Sequence, residues 1–308
     1  MNNQKQIAQL AQIACIREAC AAKPGNVNRT HDFADTSLED FLLSAVAIGS
    51  ALENAAHTGI GQIVLQATLD TRKWVQTNTN LGLILLLAPL VKASLAVMDM
   101  PDAESALTID SKNVRRCLSG ILNNLTVEDA RHAYAAIRLA RPGGLGRVAQ
   151  ADVENEPAVT LLQAMALAQD RDAVAREYVT DFAITFEMSL PVLREAFAQC
   201  GDFSRAIVQT FLTILARLPD TLITRKRGLD TAREVSQRAS ELLSLGGAFT
   251  PEGQFGLAEM DQALRDEHHT LNPGTTADLT AAAIFLVLLE KESARLQPRM
   301  DSKPSSDA

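Results

Sequence analysis

Apolar residues return at intervals of three and four along almost the whole chain. Between Leu38 and Leu52 the run Leu38, Phe41, Leu42, Ala45, Val46, Gly49 and Leu52 falls on one face of a single helix. The same spacing predicts helices over 60–76, 80–98, 110–124, 126–140, 158–170, 172–200, 202–217, 228–246, 252–269 and 274–296. The two longest, 172–200 and 274–296, are expected to be kinked or divided, with Pro191 breaking the first. No region alternates apolar and polar residues over several strand-sized segments, and Asn-Gly or Asp-Gly hairpin turns are absent. Ala and Leu dominate the apolar content and aromatic residues make up only 4%, which again favours helix over strand.

The expected fold is therefore all-α: one multi-helix bundle over 1–296, with a polar cleft formed by inter-helix loops. No stretch reads as an interdomain linker. The final residues, 297–308, are polar with two prolines and are expected to be disordered. Leu81 to Val91 is the most apolar stretch, but eleven residues containing Pro89 fall short of the roughly 20 needed to span a bilayer, so it reads as a core helix with no membrane role. The N-terminus lacks an apolar signal region. Cys15, Cys20, Cys117 and Cys200 show no zinc spacing. They read as buried thiols of a reducing compartment, the cytoplasm. A net charge of −8 with one Trp and two Tyr speaks against a nucleic-acid partner. A homodimer is one assembly open to the chain.

Against this background the punctuation gathers in a few loops. In Cys20–Ser37, Pro24 and Gly25 suffice for a helix–helix turn. The same loop also offers an anion and metal pocket. Lys23 and Arg29 are candidates for phosphate, Gly25 for close backbone approach, and Asp32 or Asp35 for Mg²⁺. His31-Asp32 is not a metal phosphohydrolase pair, because no His precedes position 31. Thr36 with Glu39 matches a capping box for the next helix.

Further on, Thr77-Asn78-Thr79-Asn80 either caps the Leu81 helix or presents its free N–H groups to a ligand. The segment 142–157 is the longest irregular stretch, and its three glycines fit neither a Walker loop nor a dinucleotide fingerprint. Arg225-Lys226-Arg227 is either a solvated helix end or a phosphate clamp. Asn272-Pro273 reads as N-cap and first turn of the last helix, with Asp278 near its positive end. Thr275, Thr276 and Asp278 would equally make a rim for Mg²⁺-triphosphate.

Taken in order, these pieces resemble the triphosphoribosyl-dephospho-CoA synthase family. The resemblance runs from about Ile16 to Leu289. It is carried by Lys23-Pro24-Gly25 with Val27, His31 with a nearby Asp, Asn78-Thr79 before a Gly-containing apolar helix, Pro142-Gly143-Gly144-Leu145-Gly146, and Asn272-Pro273-Gly274 with Ala277-Asp278-Leu279. It implies an all-helical enzyme that transfers the 5-triphosphoribosyl group of ATP to a ribose hydroxyl of 3′-dephospho-CoA, with Mg²⁺, and releases adenine. The site residues it implies are Lys23, Arg225 and Arg227 for phosphates, Asp32, Asp35 and Asp278 for catalysis or metal, and Asn78, Asn80 and Asn272 for ribose or backbone groups. Gly25, Asn26, Arg29, His31, Gly274 and Thr275 complete the expected substrate wall. The family's Asn-Thr-His-Lys-Gly reads Asn78-Thr79-Asn80-Leu81-Gly82 here, without the His and Lys. That departure is similar to a divergent branch of archaea and methanopterin-using bacteria. It leaves open a paralogue with another acceptor in one-carbon (tetrahydromethanopterin-type) cofactor synthesis, and a helical binding protein without catalysis.

Overall fold

A computed structural model describes residues 3–98 and 109–296. The tail expected to be disordered, 297–308, lies outside the described residues. Fifteen α-helices follow in order among the described residues. They are α1 (Asn3–Cys20), α2 (Leu38–Ala47), α3 (Gly49–Glu53), α4 (Ile60–Arg72), α5 (Leu81–Met98), α6 (Ser111–Asn123), α7 (Val127–Ala140) and α8 (Leu161–Ala168). The second half adds α9 (Ala173–Val179), α10 (Leu190–Cys200), α11 (Phe203–Arg217), α12 (Thr221–Arg227), α13 (Leu229–Ser244), α14 (Pro251–Leu264) and α15 (Gly274–Leu296). No strand occurs among the described residues, as the periodicity requires.

The bundle is organised around α5 and α15, which pack on each other and on α1. Both are apolar on nearly every side, as helices must be when enclosed by others. Leu81–Met98 is long and apolar enough to cross a membrane, yet 78% of it is buried inside the protein. Pro89 lies inside α5 and cannot donate to the carbonyl of Leu85 one turn earlier. The hydroxyl of Tyr178 supplies the missing donor at 2.7 Å. The helix therefore passes through its proline, and α9 is pinned to α5 by the same bond.

Elsewhere helix boundaries follow side-chain bonds that periodicity cannot register. The capping box of α2 is Ser37 with Asp40, one residue beyond the expected Thr36 and Glu39. The expected single helix over Leu38–Leu52 ends at Ala47, where Gln12 of α1 donates to the Val46 carbonyl at 2.8 Å. Val46, expected in the buried face, is 63% exposed. In 172–200 the break falls at Asp181 and Phe182, both with left-handed φ (50° and 58°), and not at Pro191. A π-helical turn, Ile184–Ser189, follows, and Pro191 sits in the first turn of α10, where its missing N–H costs nothing. Glu177, fully buried, holds this junction by accepting from the N–H groups of Ile184 (2.9 Å) and Thr185 (2.7 Å). The other long candidate, 274–296, is one undivided helix. Only Cys15 among the four thiols is buried; the other three are half-buried.

The short helix α12 was not resolved by the periodicity, and its start explains how α15 begins. Asp220, 2% exposed, accepts from Leu222 N (2.8 Å) and Ile223 N (3.0 Å) with Oδ1, which caps α12. Its Oδ2 accepts from Thr276 N (2.7 Å) and Thr276 Oγ1 (2.8 Å), which caps α15. Asn272 is thus not the N-cap of α15. Asp220→Ala strips acceptors from two buried N–H groups, a part-buried one and a hydroxyl, and is expected to cost about 3 kcal/mol. Asp220→Asn, which keeps an acceptor on one side, loses less; denaturant titration of both variants checks the order.

Candidate active site

A cavity of about 610 Å³ opens where the loops before α2, α5 and α15 and the loop after α7 meet the side of α12. That size is within the range of cavities that hold nucleotide-sized ligands. Its floor is built from the C-terminal end of α1 and the N-terminal ends of α5 and α15. Asn78 caps α5 by accepting from Leu81 N at 3.2 Å. The hydroxyl of Thr79 meets Ser44 at 2.6 Å, and Asn80 donates to Thr71 at 3.1 Å and to the Ser44 carbonyl at 3.4 Å. Asn80 lines the cavity, and its amide nitrogen joins α5 to α2 and α4. Beside it, Gly82 leaves room for Asp278 of α15: a methyl group at Gly82 would overlap the Asp278 carboxylate.

Asp278 has no hydrogen-bond partner among the described residues. Burial, then the negative charges of Glu18, Asp220 and Asp172, push its carboxyl well above the usual carboxylate range, while Arg225 opposes them. Glu18 reaches the cavity from α1 and is ion-paired with Lys23 at 2.9 Å. The acidic floor therefore has one carboxylate with a cation and one without.

The wall on α12 is basic. Arg225 and Lys226 lie side by side at its end, and Arg72, Arg141 and Arg171 also line the cavity, so five Arg and Lys side chains share the lining with four Asp and Glu. In a chain of net charge −8 that is a local reversal of sign. Arg225 Nη1 pairs with Asp172, the cap of α9, at 2.6 Å, and its buried Nε has no partner. Lys226 donates to the His269 carbonyl at 3.0 Å, and burial lowers its pKa. The glycine-rich loop after α7 seats these residues: Gly144, at φ 73°, brings its Cα against the Arg225 backbone, and Gly143 faces the Lys226 stem. The loop is held by Tyr134 on the Ala151 carbonyl (2.8 Å) and by Asp152 on the N–H groups of Val148 and Glu154 (2.8 and 2.9 Å). At the rim, His269 stacks on Phe33 with ring centroids 3.8 Å apart and pairs with Asp35 at 3.4 Å. His269 has a left-handed φ of 51° and a buried, unpartnered Nδ1.

The structure brings together Asn26, Asp35, Asn78, Asn80, Arg225, Asn272, Gly274, Thr275 and Asp278 in this lining. It does not bring in the rest of the sequence-derived set. Lys23 is fully buried, and its ammonium is satisfied by the Glu18 and Ala21 carbonyls and the Glu18 carboxylate, so it has no donor left for a phosphate. Gly25 does permit close approach, but of Leu264 and Pro273 rather than a ligand. Asp32 caps α2 through Leu38 N at 2.7 Å. His31 pairs with Asp261 at 2.9 Å on the outer side of the loop. Asp261 also accepts from Gly25 N (2.8 Å) and Arg265, so it anchors the whole turn to α14. Arg29 and Arg227 are exposed and outside the lining, where Lys226 takes the place expected of Arg227.

The expected metal trio of Asp32, Asp35 and Asp278 is consequently not assembled. Among the described residues no three His, Cys, Asp or Glu side chains converge to hold an ion. The residues do not fit a resident Mg²⁺ caged by protein.

Comparison with known proteins follows the same outline. Residues 4–296 match the model of the family described as ATP:dephospho-CoA triphosphoribosyl transferase. The chain belongs to that family. A 2-(5″-triphosphoribosyl)-3′-dephosphocoenzyme-A synthase of Klebsiella pneumoniae is 33% identical over 110 residues, covering 36% of each protein. The chain thus spans about a third of that relative's length. A protein of Pseudomonas fluorescens, named a probable synthase of the same kind, is 29% identical over 94% of this chain and 93% of its own. A crystal structure of a triphosphoribosyl-dephospho-CoA synthase candidate from Archaeoglobus fulgidus superposes with a TM-score of 0.61 at 26% identity, over 81% of this chain and 98% of that one. The family match covers both the acidic floor on α1, α5 and α15 and the basic wall on α12.

Because the Asp278 carboxyl is raised in the fold, folding binds its proton more tightly than the unfolded chain does. Its contribution to stability is then greatest at acid pH and is lost as pH rises from the ordinary carboxylate range toward the raised value. Asp278→Asn removes that loss. The variant is expected to match the parent near pH 4 and to exceed its stability at pH 8, measured by denaturant titration across pH.

Proposed function

We propose that the chain transfers the 5-triphosphoribosyl group of ATP to a ribose hydroxyl of 3′-dephospho-CoA and releases adenine. The observation that carries this reading is the charge make-up of the cavity, with Arg225 and Lys226 on α12 for a polyphosphate beside the Glu18 and Asp278 carboxyls for a sugar. Substitution at the anomeric carbon proceeds through an oxocarbenium-like state, which a nearby carboxylate stabilises. Arg225 and Lys226 take the triphosphate on the wall. Arg225 fits that role because its buried Nε lacks a partner and Asp172 already holds the guanidinium in place. Asn78, Asn272 and Thr275 line the path between wall and floor and orient the ribose.

Mg²⁺ belongs to this reading as part of the nucleotide substrate, since an ion carried on a triphosphate needs only one or two protein carboxylates. A cytoplasmic setting is proposed from the four free thiols. A second reading, the same donor chemistry with another hydroxyl acceptor, is favoured by one observation. Asn80 stands where the family carries His, and its amide nitrogen is committed to Thr71 and the Ser44 carbonyl.

Incubation with ATP, Mg²⁺ and dephospho-CoA is expected to yield adenine and a triphosphoribosyl adduct, read by mass spectrometry. Adenine without the adduct selects the second reading, and failure to bind ATP by calorimetry rejects both. Arg225→Ala is expected to weaken ATP binding by about 10- to 100-fold, a charge-assisted contact's worth, with the fold retained.

A further inference from the structure

Among the four acidic side chains that line the cavity, three are otherwise engaged. Asp35 sits 66% exposed at the rim on His269, Asp172 is tied to Arg225, and Asp278 is driven toward its neutral form. Glu18 differs from all three. It is 3% exposed, and Lys23, with no exposed surface at all, fixes its Oε1 at 2.9 Å. Lys23 spends its remaining donors on the Glu18 and Ala21 carbonyls, so the end of α1, the Pro24-Gly25 turn and the carboxylate form one rigid unit. Oε2 of Glu18 has no hydrogen-bond partner among the described residues, in a side chain that lines the cavity.

We propose that Glu18 is the base that takes the proton of the acceptor hydroxyl, and that Lys23 is the residue that positions it. The inference rests on the ribosyl-transfer reading above. As the acceptor oxygen bonds to C1′ of the ATP ribose, its proton passes to Glu18 Oε2. The C1′–N9 bond breaks, and its electron pair leaves with adenine, which takes a proton from water. Glu18 returns its own proton to water, so the cycle closes with no other reactant. The pair fixes the carboxylate in place, with Oε1 on the Lys23 ammonium and Oε2 left to the cavity.

The test separates chemistry from structure by removing the ion pair in two stages. Glu18→Gln leaves Lys23 charged and buried without a partner, and is expected to lower Tm by roughly 5–10 °C. Glu18→Gln with Lys23→Met removes both charges and is expected to recover most of that loss. Adenine release with ATP and dephospho-CoA should nonetheless stay down by about 10²- to 10⁴-fold in kcat in the double variant, with KM for ATP within about threefold. Return of kcat together with Tm would overturn the proposal and leave the transfer reading intact. If the double variant does not fold, Glu18→Asp decides: it keeps the charge pair but retracts the carboxylate, and an unchanged kcat overturns the base role. A wild-type protein that binds ATP but releases no adenine with any hydroxyl acceptor rejects the transfer reading and this inference together.

Discussion

The carboxylate of Asp220 holds two helix N-termini at once, and the relative placing of Arg225, Lys226 and Asp278 in the cavity follows from that. One oxygen starts α12, whose far end carries Arg225 and Lys226. The other starts α15, whose second turn carries Asp278. The basic wall and half of the acidic floor are therefore fixed relative to each other by a single buried side chain. Burial raises the Asp220 carboxyl, while the four donors around it oppose the shift. A partner of opposite charge is not needed, because the positive ends of two helices stand in for it.

Much of this fold could be read from the sequence, because helical periodicity is a property of each segment alone. The helix type of nearly every segment was legible, as was the gathering of polar loops on one side of the bundle. Boundaries that depend on partners distant in sequence were not. Nothing around Pro89 announces that Tyr178 will supply its missing donor. Nothing in 172–200 marks Asp181 and Phe182 as the break, since neither is Gly or Asn and the conformation is imposed by Glu177 and the π-turn it holds.

The site was legible in part, for a related reason. Short motifs with unusual residue types, such as Asn78-Thr79 and Asn272 to Asp278, stood out and do line the cavity. Residue type alone assigned Lys23 to phosphate, whereas its side chain folds back on the end of the helix it follows. Glu18 escaped notice because a glutamate in a helix of mixed character carries no local signal. Its partner lies five residues later, across the turn. Asp261 was hidden likewise, in the middle of α14.

The closeness of Gly82 and Asp278 has an evolutionary reading. The two positions are nearly 200 residues apart in the chain, yet the absence of a side chain at one is the space occupied by the carboxylate of the other. A larger residue at 82 would evict the acid, so a side chain at 82 is selected against for as long as the acid at 278 is kept.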